Sequence, residues 1–287
     1  MNDKGYRFPL LERCLKCAIM EPYRENRSPT LKNESLPIQN EIKDLLLKVQ
    51  EGSCSVSEAL ETLTTLPFVS ADAGEVRLDF HRPLRKGIGE VVYCPGKSDA
   101  QMVQIAARVR ENGSNMAFSR MSEHQAALIA DGEPPLSYDL VSKMGFIQSH
   151  AEEVRGRVAV LSAGSSDVPV AEEAAQIAEI SGCLVERYYD VGVAGLHRLL
   201  SVLPKIREAD VVVVAAGMDG ALPSVVSGLV SSLVIALPTS IGYGVADGGK
   251  AALASMLCSC SPGLTVVNID NGIGAGLAAA IVARRGA

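Results

Sequence analysis

The chain has 287 residues, enough for one large or two ordinary domains around a real core. Its net charge is −6, aromatic residues make up 4% and Trp is absent, which argues against nucleic-acid binding by phosphate neutralisation or base stacking. Seven cysteines without disulfide-scaffold spacing read as free thiols of a reducing compartment, and no apolar run reaches the ~18 residues of a membrane span.

Residues 1 to about 36 mix charge, Pro and Asn without a period and read as a poorly ordered leader lacking a signal-peptide core. Cys14 and Cys17 have no second pair, so they read as ordinary thiols rather than zinc ligands. The expected location is the cytoplasm, or an organelle stroma if a targeting segment is missing from this chain. A smaller α+β domain is expected over residues 37–150. Ile38, Ile42, Leu45, Leu46 and Val49 have helical spacing, and a second helix starts at Ser55 or Ser57, with Ser55 and Glu58 placed for a capping box. Residues 76–80 alternate polar and apolar, and 91–93 form a short strand. Ser98 opens a helix to about Asn112; a strand follows at 116–118, a short helix at 123–130, a turn at 131–135 and a strand at 145–147.

From 155 to 287 the pattern becomes strict alternation. Strands are predicted at 158–162, 184–189, 211–216, 233–237 and 264–269, with helices near 169–181, 194–203, 219–229, 247–258 and after Gly274. Strands alternating with helices predict a three-layer, doubly wound parallel sheet, a flavodoxin-like α/β domain with right-handed crossovers. Ligands of such sheets sit outside the carboxyl ends of the strands. The loops to inspect are therefore 163–168, 190–198, 216–223, 238–249 and 269–276.

The first of these, Gly164-Ser165-Ser166-Asp167, offers hydroxyls and free backbone N–H groups to an anion, with Asp167 able to cap the next helix and Pro169 suited to its first turn. It reads equally as a tight βα turn. His197 is a candidate acid–base group and Arg198 an anion clamp, or the two are a surface pair at a helix start. Gly217 and Gly220 permit close backbone approach around Met218 and Asp219, the latter facing the crevice or capping a helix. Residues 240–249 are a Gly-rich loop with the character of a lid, and the glycines after Asn271 are weak evidence for a dinucleotide site. Cys258 and Cys260 precede the last strand, so within one subunit they fall at the wrong end of the sheet. A thiolate there is a bystander, or belongs to a site that another subunit completes.

Together these residues resemble a known fold. Gly164-Ser165-Ser166-Asp167, His197-Arg198 and the Gly217 to Pro223 loop are similar to the aminoimidazole ribonucleotide carboxylases of purine synthesis. Residues 190–197, 217–224, 238–244 and 263–272 more closely resemble the pyridinium-3,5-biscarboxylic acid mononucleotide synthases, carboxylase/hydrolases of nickel-pincer cofactor synthesis. The stretches 78–87 and 90–97 resemble that family's separate N-terminal domain, which the purine enzyme lacks. The resemblance covers roughly residues 38–285.

This resemblance implies carboxylation of C5 of the pyridinium ring of nicotinic acid adenine dinucleotide by CO2, followed by phosphoanhydride hydrolysis releasing AMP. It implies that Cys260 is the nucleophile. Asp219 would be the base, standing where the family carries a glutamate, and Ser98 stands where Thr is usual. His197 and Arg198 would serve the substrate phosphates or the hydrolytic step. Ser165, Ser166 and Asp167 would meet phosphates, with Asp167 the candidate for a Mg²⁺ or similar divalent ion. Gly217, Met218, Gly220, Tyr243, Gly244, Asn268 and Lys97 would line the substrate site, with Arg82 and Arg85 adding positive charge. The resemblance implies a homo-octamer with sites between subunits, a dinucleotide substrate, CO2 as co-substrate, no prosthetic group, and neither nucleic acid nor membrane as partner. The alternatives are aminoimidazole ribonucleotide carboxylation and a non-catalytic nucleotide-binding module.

Overall fold

The computed structural model describes residues 37–65, 69–70, 76–80, 82–86 and 89–286; the expected leader, His81 and Gly87 lie outside them, as does the side chain of Arg85. Helices α1 (Pro37–Gln50) and α2 (Val56–Thr65) form a hairpin. The Ser55–Glu58 capping box closes as expected, with Glu58 N donating to Ser55 Oγ at 3.2 Å and Ser55 N to Glu58 Oε2 at 2.8 Å.

A short antiparallel pair, β1 (Val69–Ser70) and β2 (Arg77–Leu78), and helix α3 (Arg82–Lys86) follow. The alternation at 76–80 thus yields only two residues of strand, and α3 is an addition to the expected elements. Next come β3 (Val91–Tyr93), α4 (Asp99–Asn112), β4 (Met116–Ser119), α5 (Glu123–Leu128), β5 (Leu136–Asp139) and β6 (Met144–Ile147). The four strands make a sheet in the order β3-β4-β6-β5, parallel only between β3 and β4. Strand β5 is a second addition. Its sequence, Leu-Ser-Tyr-Asp directly after two prolines, is too short and polar to stand out, and pairing with β6 is what orders it. Ser98 and Ser122 each cap their helix by a reciprocal Ser-x-x-Gln box.

The second sheet holds β7 (Arg157–Ser162), β8 (Leu184–Tyr188), β9 (Val211–Ala216), β10 (Leu233–Pro238) and β11 (Leu264–Val266), all parallel, in the order β8-β7-β9-β10-β11. This is the expected doubly wound α/β fold. Burial on both faces explains why the inner strands β7, β9 and β10 are runs of Val, Ala, Leu and Ile. Val158, Val160, Val211, Val213 and Ile235 face helices α6 (Val168–Ile180) and α10 (Gly272–Gly286). Ala159, Leu161, Val212, Val214 and Val234 face α7 (Leu196–Ile206), α8 (Leu222–Ser227) and α9 (Lys250–Leu257).

Helices α6 and α10 approach closely because their shared face is Ala and Gly; a Cβ on Gly276 would lie 2.5 Å from Ala174 O. Their outer face is not solvated. Ile177, Ile180, Ile273 and Leu277 pack on Ala117, Met144 and Phe146 of the four-stranded sheet. The two helices are therefore the filling between two sheets, and the carboxyl end of β4 comes to the carboxyl end of the larger sheet.

Candidate active site

The strand order reverses direction between β7 and β9, and the crevice at their carboxyl ends is the expected ligand position. The loops after β7, β8, β9, β10 and β11 all end there. Ser165 and Ser166 lie exposed on a 3-10 turn, Ser165–Asp167. Asp167 does something the sequence does not announce. It is buried and makes no side-chain cap to α6. Its Oδ2 accepts from Gly164 N at 2.9 Å and its Oδ1 from Thr239 Oγ1 at 2.6 Å, with Gly217 N a further donor. Burial pushes its pKa up, against these three hydrogen bonds. Asp167 is thus a clasp joining the loops after β7, β9 and β10. This corrects its reading as the cap of that helix, since neither oxygen accepts from the helix's first N–H groups. Among the described residues no group of three or more His, Cys, Asp or Glu side chains forms a metal seat.

The clasp holds the β9 loop at close quarters. Gly217 is buried, and a Cβ there would lie 2.3 Å from Ile241 O and 2.8 Å from Thr239 Oγ1; only glycine fits. Met218 N donates to Ile241 O at 3.1 Å. Gly220, at φ +77, packs against Ala252 of α9. Met218 and Asp219 project from this rigid base and are exposed. One Asp219 oxygen accepts from Ala221 N at 3.2 Å, beside the start of α8. The loop after β10 is also largely exposed, with Tyr243 at 74% and Val245 at 96%. Gly244, at φ +61, has open space around it. Asn268 is exposed after β11, its Oδ1 accepting from Ile269 N.

The β8 loop abuts the β7 loop: Val191 N donates to Ser162 O at 3.0 Å, and a Cβ on Gly192 would lie 2.5 Å from Ala163 O. This brings the exposed His197 to the same edge. Arg198 pairs with Asp190 at 2.5 Å, so its charge is partly committed before any substrate phosphate arrives.

Two expected site residues stand elsewhere. Lys97 is in the N-terminal domain, in the loop between β3 and α4. Cys260 is at the amino end of the larger sheet, with α9, about 12 Å long at 1.5 Å per residue, between it and the crevice. Its loop is fixed by serines. Ser224 Oγ donates to Ser259 Oγ at 2.8 Å, Ser261 N to Ser259 Oγ at 3.2 Å and Ser227 Oγ to Pro262 O at 2.8 Å. With Ser259 turned inward, Cys258 and Cys260 are left exposed. Cys94 and Cys183 are buried, and burial raises their thiol pKa to about 12 and about 11, which removes them as nucleophiles.

Sequence reasoning passes over three residues at this edge. Thr239 holds the clasp; Asp270 joins two loops, accepting from Ser240 N at 2.8 Å; Arg120 reaches Asp270 O at 2.8 Å from the N-terminal domain. Thr239 and Asp270 sit inside loop motifs already singled out, and that position is their only signal. Arg120 has none.

A family model described as the LarB/PurE-like N-terminal domain matches residues 70–149, and one described as AIR carboxylase matches 157–286. An uncharacterized protein of Methanocaldococcus jannaschii is 38% identical over 252 residues, covering 85% of this chain and 97% of the relative. The N5-carboxyaminoimidazole ribonucleotide mutase of the same organism is 35% identical over 129 residues, covering 44% of this chain and 75% of the mutase. A crystal structure of a single-substitution variant of Treponema denticola PurE2 aligns at 26% identity with a TM-score of 0.36, covering 44% of this chain and 78% of that one.

Proposed function

The chain belongs to the LarB family, a LarB/PurE-like N-terminal domain joined to an AIR carboxylase domain, and we propose that it carboxylates the pyridinium ring of nicotinic acid adenine dinucleotide and hydrolyses its phosphoanhydride. The coarser statement, a PurE-related family of carboxylase and mutase type, rests on the domains alone. The observation that carries the finer one is the exposed thiol of Cys260, held on a serine-pinned loop. Aminoimidazole carboxylation has no use for it.

A pyridinium ring is electron-poor, so its C5 does not attack CO2. Addition of the Cys260 thiolate to C4 gives a dihydropyridine whose enamine carbon, C5, forms the new C–C bond to CO2 while N1=C6 becomes an iminium. Asp219 removes the C5 proton, restoring C5=C6, and the C4–S bond then breaks to return the thiolate and the aromatic ring. Water attack on the phosphoanhydride releases AMP, with His197 and Arg198 at the phosphates and Ser165 and Ser166 offering hydroxyls and N–H groups. No step requires a metal held by the protein.

Because Cys260 and Asp219 occupy opposite ends of the sheet, the reading requires a second copy of the chain to bring them together. The exposed apolar side chains beside each, Met218, Ile241, Tyr243 and Val245 at one end and Leu257 at the other, support such an assembly, proposed as an octamer.

The test is mass spectrometry of products after incubating wild type and Cys260→Ala with nicotinic acid adenine dinucleotide and CO2, with and without Mg²⁺. The expected result is a mononucleotide heavier by one carboxylate, plus AMP, from wild type only. Consumption of aminoimidazole ribonucleotide instead would support the purine reading; tight dinucleotide binding without turnover would support a binding module.

A further inference from the structure

Ala117, Met144 and Phe146 pack the N-terminal domain on α6 and α10, and Ser142 Oγ donates to Gln176 Oε1 of α6 at 3.0 Å, away from the crevice. Arg120 adds a single directed contact at the rim of the crevice, and that contact is unusual at both ends. Arg120 has φ +51 and Asp270 φ +53. Non-glycine residues seldom adopt the left-handed region, and such conformations persist only where the surrounding structure enforces them. Here the two residues are in mutual contact, Arg120 Nη2 donating to Asp270 O at 2.8 Å across the boundary between the domains.

Asp270 is a hub. Its N donates to Pro238 O at 2.9 Å and its Oδ1 accepts from Ser240 N at 2.8 Å, so it sets where the β10 loop leaves the sheet. Residue 241 of that loop accepts from Met218 N through its carbonyl, and a Cβ on Gly217 would lie 2.3 Å from the same oxygen. Met218 immediately precedes Asp219. The path from Arg120 to the base thus runs through a chain of hydrogen bonds and adjacent residues: Asp270, Ser240, Ile241, Met218, Asp219.

We propose that Arg120 is a positioning residue for the reaction, its grip on the Asp270 carbonyl fixing the loops that aim the Asp219 carboxylate. This rests on the reading of Asp219 as the base. A supporting contact lies just behind. Glu173, buried in α6, accepts from the Gly272 and Ile273 N–H groups at the start of α10; burial pushes its pKa up, and the Arg120 charge and these N–H groups act against that rise. One guanidinium therefore steadies both the carbonyl of Asp270 and the carboxylate that caps the helix after it.

Two variants test the inference. Arg120→Asn suits a left-handed backbone but cannot reach Asp270; Arg120→Lys keeps the charge and most of the reach with a single point donor. Steady-state AMP release is measured with hydrogen exchange of backbone amides, circular dichroism melts confirming that each variant is folded. Arg120→Asn is expected to lower kcat about 10- to 100-fold with KM changed less than about threefold. Exchange should quicken at 216–219 and 238–242, and Arg120→Lys should recover most of kcat. A raised KM with kcat retained would make Arg120 a substrate contact and overturn the inference, as would unchanged exchange in those loops. If the wild type releases no AMP, the proposed substrate is wrong, and exchange alone then decides the clasp in the same two directions.

Discussion

At the carboxyl end of the five-stranded sheet, the loops are held from within. Glycines are packed too tightly for a side chain, and two aspartates, Asp167 and Asp270, spend their oxygens on neighbouring loops. At the amino end, the loop carrying Cys260 is held from one side by hydroxyls of α8, and its thiols face solvent. One end is a seat with exposed Ser165, Ser166 and Asp219 above it; the other presents the exposed thiols of Cys258 and Cys260. On the proposed reading the contrast means that neither end is a complete site, and that two copies of the chain must meet to make one.

The sharpest way to break the comparison is to destroy one end and leave the other. Gly217→Ala puts a methyl 2.3 Å from Ile241 O. It is expected to cost about 3 kcal/mol or more in stability and to abolish AMP release. The rate of Cys260 alkylation, measured on dissociated subunits, should stay at its wild-type value. Alkylation that changes in step with activity would show the two ends to be coupled within a subunit.

A smaller effect sharpens the account of what holds the carboxyl end. Burial raises the Glu173 pKa from 4.5 to about 7, the Arg120 charge and the α10 N–H groups opposing it. The folded chain then holds a proton that the unfolded chain releases. The stabilisation this gives is complete below about pH 4.5 and is lost as pH rises to about 7, amounting to roughly 3 kcal/mol at most. Glu173→Gln should flatten the dependence of Tm on pH across that window. A wild-type Tm that is level from pH 5 to 7 would contradict it.

Much of the fold can be read from the chain. The apolar strands with helices between them, the inner three buried on both faces, leave few topologies, and the loops at the carboxyl ends follow from chain order. The place of Cys260 at the other end follows from the same reasoning, since it precedes β11. What cannot be read is what ties the loops together. Asp167 and Thr239 are 72 residues apart, and Arg120 and Asp270 150 apart. Contacts of that range leave no local period or motif. Glu172 and Glu173 show the same limit. Both lie beyond the first turn of α6; Glu172 pairs with Arg187 and Tyr189, and Glu173 serves the start of a different helix. Strand β5 is hidden because its order comes from β6 rather than from its own four residues.

The most direct measurement is complementation between two inactive variants. Cys260→Ala retains Asp219, and Asp219→Asn retains Cys260. Each alone should release no AMP. After the two are mixed one to one, dissociated and reassembled, about a quarter of the sites should pair an intact thiol with an intact carboxylate, and activity should return to about a quarter of wild type. Mixed assemblies that form but remain inactive would contradict a site shared between subunits.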